Sequence, residues 1–215
     1  MKKGFTLIEL LIVIAILAVL LTTTIVIINP PEQFRRARDD SRVSLLKSLD
    51  GAVTFFNVEV PGEPQGASGV LYISLPDPAA SPTSTCQTFT SLPTLPPPWK
   101  YQCSSPNNYL KVNGTGWLPI DFTKIPSGSI YSILPYDPTN DADQSLYFAY
   151  AKGNSWVFTG LLESEKQLKA SAVNDGGLDP ARFEIGTDLT IWSSSTGLAS
   201  YWAFDDGSGT TAQDS

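Results

Sequence analysis

Few residues in this sequence are equipped for chemistry. There is no histidine, which removes Ser-His-Asp and Cys-His catalysis together with the usual imidazole metal sites. The two cysteines, Cys86 and Cys103, are too few for a zinc site and lie in a stretch rich in Ser, Thr and Pro. In an exported domain such a pair reads as a disulfide. Oxygen donors concentrate between residues 137 and 143, where Asp137, Asn140, Asp141 and Asp143 form a candidate calcium loop. Calcium takes six to eight oxygen ligands, but the spacing is not that of an EF-hand, and a solvated acidic turn is the alternative. The remaining anomaly is Glu9, the one ionisable residue in the apolar run from Phe5 to Ile28. An isolated carboxylate there costs several kcal/mol unless paired.

That run needs an element to hold it. About 24 residues of α-helix extend roughly 36 Å, enough to cross a hydrocarbon core of roughly 30 Å. The run is too long for the apolar region of a cleaved signal peptide, and Thr22-Thr23-Thr24 leads back into Ile-Val-Ile-Ile without a small-x-small site. A plain anchor accounts for the length but not for Glu9. Lys3-Gly4-Phe5-Thr6-Leu7-Ile8-Glu9 resembles the processing site of type IV prepilins and type II secretion pseudopilins. The resemblance implies cleavage by a prepilin peptidase between Gly4 and Phe5, N-methylation of Phe5, and a role for Glu9 in assembly with other pilin subunits. It implies a leader over residues 1–4, a transmembrane and assembly helix over 5–28, and a head outside the cytoplasm carried into a filament from the inner membrane. Major pseudopilins hold calcium in a loop of this part of the fold, which bears on the 137–143 cluster.

Charge flanking the run points the other way. Lys2 and Lys3 precede it, whereas Arg35, Arg36, Arg38, Arg42 and Lys47 follow, and the positive-inside rule alone puts the C-terminal side in the cytoplasm. The resemblance and the cysteine pair put it outside. The net charge of −7 and the lack of a basic run beyond Arg35-Arg36-Arg38 give no footprint for nucleic acid, and no nucleic-acid partner is expected.

The rest reads as an α+β unit. Asn29-Pro30-Pro31 predicts a kink or short break. An amphipathic helix follows to residue 60, with Leu46, Leu49, Val53, Phe56 and Val60 on one face and Arg42, Lys47 and Asp50 on others. Pro61-Gly62 ends it. An antiparallel sheet head is expected over 61–192, with strands at Val70 to Leu75, Tyr109 to Val112, Trp117 to Phe122, Ser129 to Leu134, and a hairpin from Leu146 to Leu162 turning on Gly153-Asn154. Residues 193–197 read as a linker. The segment 198–215, with Tyr201-Trp202-Ala203-Phe204-Asp205, resembles the opening of a concanavalin-like, laminin-G-type jelly roll, too short to be a whole one. Such domains bind glycans or proteins, so a membrane-tethered adhesin or carbohydrate-binding protein is the second reading. An enzymatic role is not expected.

Overall fold

The computed structural model describes residues 4–81 and 86–191, with the side chains of 23–28 left aside. The linker 193–197 and the laminin-G-like segment lie outside the described residues.

Two helices lead the chain, α1 (Leu7–Ile28) and α2 (Pro30–Glu59). Only Asn29 separates them, in a left-handed conformation (φ 46°, ψ 69°). The break follows from local chemistry. A residue before proline is pushed out of the right-handed helical region, and asparagine is one of the few residues that tolerate the left-handed one. Pro30 and Pro31 occupy the first turn of α2, where helix N–H groups lack intrahelical acceptors, and the Asn29 carbonyl accepts from Glu32 and Gln33 N–H (3.1 and 3.3 Å). α1 is 22 residues long. Among the described residues no helix is long and apolar enough to cross a membrane; the span expected over 5–28 is met there as a helix only.

Five strands form one sheet: β1 (Val70–Pro76), β2 (Lys100–Ser104), β3 (Phe148–Lys152), β4 (Trp156–Leu161) and β5 (Arg182–Gly186), in the order β2-β1-β3-β4-β5. The expected antiparallel sheet is in fact mixed. β1 and β2 run parallel, Leu71 opposite Tyr101, while the other pairs are antiparallel. A parallel pair needs a long crossover, and the chain between β1 and β2 supplies it, irregular rather than helical in its described residues 77–81 and 86–99. This segment covers one face of the sheet, where Phe89, Leu92, Leu95 and Trp99 pack on Leu71, Ile73, Ala149 and Val157. α2 covers the other face. Its stripe of Leu46, Leu49, Val53 and Phe56 meets Phe148, Tyr150, Phe158 and Phe183, all buried. Strand alternation sorts the residues: in β3, Phe148 and Tyr150 face the helix, Ala149 and Ala151 the crossover. Gly160 lets the layers close, since a Cβ there would stand 3.0 Å from Leu46 Cδ1.

The hairpin turns over residues 153–155, one more than expected, because Lys152 pairs with Trp156 and the Gly153 N–H donates to Ser155 O (2.9 Å). Three expected strands are not strands. Residues 109–112, 117–122 and 129–134 form an irregular layer with an isolated bridge, Asn113 to Asp121, and a 3₁₀ turn at Phe122–Lys124. Trp117, Leu118, Ile120, Phe122 and Leu134 are buried against α2 there. Their apolar character reflects packing on the helix, not membership of a ladder. Strands β2 and β5 were not among those expected.

Candidate functional site

The Gly4–Phe5 bond lies in non-helical backbone just ahead of α1, with Gly4 and Phe5 exposed. Thr6 stands at the helix N-cap and Glu9 in the first turn. The Thr6 N–H and Oγ1–H both donate to Glu9 Oε2 (2.8 Å each), and the Glu9 N–H donates to Thr6 Oγ1 (3.3 Å). This is a capping box, in which hydroxyl and carboxylate each satisfy a backbone N–H that the first turn leaves orphaned. A carboxylate also suits the positive end of the helix dipole. Glu9 therefore has a local reason to be where it is, and the T-x-x-E spacing of Thr6 and Glu9 was a signal for it. Beyond the box, every side chain from Leu7 to Leu21 is exposed, the large apolar ones by 47% at Val13 to 82% at Leu7. The head does not cover this helix.

A second constellation was not expected. Arg42 is wholly buried on the face of α2 that meets the sheet, not on another face. Asp39, Arg42, Leu46, Leu49, Val53 and Phe56 step by three and four along one stripe, so the phase was visible; the charges masked it. All five guanidinium N–H groups of Arg42 are used. Nε and Nη2 donate to Asp137 (2.7 and 3.1 Å), Nη2 also to Thr139 Oγ1 (2.9 Å), and Nη1 to Asp39 (2.7 Å) and Glu163 (2.5 Å). Arg38 forks onto Glu163 (2.7 and 2.8 Å). Asp39 in turn accepts from the backbone N–H of Glu163 and Ser164 (3.0 and 2.7 Å). Hydrogen bonds from Arg38, ahead of the opposing cost of burial, hold the Glu163 carboxyl down at about 2. Burial alone would lower the Arg42 guanidinium, but its carboxylates, Asp137 first, raise it above its ordinary value. Lys47 lies over the Phe183 ring (5.9 Å) and Asp50 accepts from the Trp156 indole (2.8 Å).

This network engages one of the expected calcium ligands. Asp137 faces Arg42, with its side chain fully buried. Asn140 turns its side chain to Ser74, accepting from the hydroxyl (2.8 Å) and donating to the carbonyl (3.1 Å). Asp141 accepts from Asp143 N–H and the Gln144 side chain in a local turn. Among the described residues no group of three or more His, Cys, Asp or Glu is placed to hold a metal ion.

Cys86 and Cys103 form a disulfide, S–S 2.02 Å, joining the crossover to β2. Beside it the buried Asp77 carboxylate accepts from the N–H groups of Ala79, Gln87 and Thr88 and from the Thr88 hydroxyl (2.6 to 3.2 Å). Burial opposes its charge, yet these donors hold the carboxyl below its ordinary range.

No curated protein and no solved structure matches the chain, and the laminin-G resemblance gains no support. Residues 1–25 match the family described as the prokaryotic N-terminal methylation motif. That match supports an N terminus of the type IV pilin or pseudopilin type.

Proposed function

We propose that the chain is a structural subunit of a type IV pilus or type II secretion pseudopilus, cut between Gly4 and Phe5 by a prepilin peptidase and N-methylated on Phe5. α1 holds it in the inner membrane before assembly, with the head outside the cytoplasm, and then packs among the helices of other subunits in the filament. The observation that carries this reading is the uncovered apolar surface of α1. Such a helix needs lipid or like helices around it, because water leaves its surface unsatisfied.

Glu9 then acts by exchange. In the lone subunit its carboxylate is held by Thr6. Cleavage creates an amine at Phe5, and in a staggered bundle the Phe5 amine of one subunit meets Glu9 of another. In a low-dielectric bundle, one charge left without its partner costs about 3 to 5 kcal/mol, so the pair fixes register as well as attraction. Glu9→Leu should leave insertion and cleavage intact while filament incorporation drops about tenfold or more. Immunoblots of membrane and sheared-filament fractions separate these steps. Cleaved, inserted Glu9→Leu protein built into filaments at the normal level would overturn the reading.

A further inference from the structure

A cleft of about 330 Å³ opens beside β2 at the edge of the sheet, between that strand and the 105–119 segment. Its volume lies in the range of small-ligand sites. Its chemistry is specific: among the described residues no Asp, Glu, Lys or Arg lines it. The polar groups it presents are amides and hydroxyls whose other hydrogen bonds are already fixed. Gln102 donates through Nε2 to the carbonyls of Cys103 (3.0 Å) and Ser81 (3.4 Å), which leaves Oε1 as an acceptor. Ser104 Oγ gives its proton to Gly116 O (2.7 Å), which leaves lone pairs. Asn108 takes the Lys111 ammonium on Oδ1 (2.6 Å), which leaves its amide N–H pair as donors, and the Ser105 hydroxyl adds another. Tyr72 and Pro119 supply an apolar wall, and the Tyr72 ring is fixed by the Ala67 N–H donating to its hydroxyl (2.9 Å). Gly116 in the lining packs its backbone on Lys111 and Leu134, where a Cβ would fall 2.1 Å from Lys111 O.

We infer that this cleft binds a neutral pyranoside, one sugar residue of a glycan. Interleaved uncharged donors and acceptors match vicinal hydroxyls, each of which both donates and accepts, and a tyrosine-proline wall suits the C–H face of the ring. No charged side chain lines the cleft, and the nearest, the Lys111 ammonium, is held on Asn108 Oδ1 (2.6 Å). A peptide adding as a sixth strand is disfavoured, because the outward Cys103 carbonyl already carries the Gln102 amide (3.0 Å). The inference does not depend on the filament reading.

The test is saturation-transfer NMR on the full chain in a zwitterionic, sugar-free detergent. The probes are the methyl glycosides of glucose, galactose, mannose and N-acetylglucosamine, with methyl glucuronide and methyl phosphate, whose methyl protons report transfer, as charged controls. Transfer to at least one neutral glycoside is expected, with the charged probes silent. The double variant Gln102→Ala, Asn108→Ala should bind that glycoside about tenfold or more weakly. Retained melting temperature and an intact Cys86–Cys103 bond confirm that the variant is folded. If it is not, Ser105→Ala, which removes one hydroxyl, should weaken binding about threefold or more. No transfer from any neutral glycoside, equal transfer from the charged probes, or unchanged affinity in folded variants would each overturn the inference.

Discussion

Arg42 shows how a single residue fixes the placement of a helix. It sits in the apolar stripe of α2 at a position where leucine would serve for packing alone, yet three carboxylates and a threonine hydroxyl from three segments surround it. A buried ion pair is weak evidence for net stability, because desolvation offsets much of the attraction. Removing one member is different. Arg42→Ala strands Asp39 and Asp137 in the interior and should cost about 3 to 5 kcal/mol. Arg42→Lys should recover only part, since an ammonium has three donors and no fork to match five acceptors. Urea unfolding of the full chain in micelles, followed by tryptophan fluorescence, checks this order; equal midpoints for Arg42→Ala and the parent chain would refute it. The network also gives a structural reason for part of the basic flank that the positive-inside rule counts. Arg38 and Arg42 are there to meet the head's carboxylates, and only Arg35, Arg36 and Lys47 remain outside that network.

Among the elements, those with a periodic or a chemical signature were legible and those defined by tertiary cover were not. α2, its end ahead of Pro61-Gly62, β1 and the β3–β4 hairpin follow from spacing and turn residues. β2 was hidden by the Pro96-Pro97-Pro98 run before it. β5 was hidden by Arg182 and Glu184, charged residues that a half-exposed strand would turn to water but that are buried here. The parallel pairing of β2 was beyond the sequence because it depends on how the 77–99 crossover folds back. Of the candidate site residues, Gly4, Phe5 and Glu9 carried a motif, whereas Asp137 looked like a ligand until its partner, ninety-five positions away, was placed beside it. The crossover has its own staple. Closing a loop of about eighteen residues should add roughly 3 kcal/mol by restricting the unfolded chain, and Asp77 gathers Gln87 and Thr88 beside Cys86 independently of that bond. Replacing both cysteines with serine should lower stability by that amount and raise hydrogen exchange in 86–99 while β3 and β4 stay protected. Loss of protection throughout the sheet would show that the crossover is part of the core and not a cover held on it.

For the whole molecule, two carboxyls, one half-buried and one buried, on opposite sides of their ordinary value make stability depend on pH in two directions. Glu163, held at about 2 against an unfolded value of 4.5, favours the folded state above the unfolded value, and this contribution is lost as pH falls from 4.5 through about 2. Asp77, also lowered, adds to the same acid limb. Glu184 works the other way. Burial, with Asp175 and Asp179 adjacent and only partly offset by the Leu178 and Asp179 N–H donors (2.6 and 2.9 Å), raises its carboxyl to about 7. The folded chain thus holds a proton that the unfolded chain releases near 4.5, so stability falls as pH rises from 4.5 to about 7. Asp175, raised chiefly by burial, reinforces that limb. Each of the two glutamates is worth on the order of 3 kcal/mol across its window. The melting temperature of the full chain should therefore peak near pH 4.5 and decline on both sides. Glu184→Gln should flatten the upper limb, keeping an acceptor for the Leu178 and Asp179 N–H groups without a charge to bury, and Glu163→Gln should weaken the acid limb at a cost at neutral pH. If Glu184→Gln melts with the same slope between pH 4.5 and 7 as the parent chain, the proton held by the 175–184 corner belongs to another group.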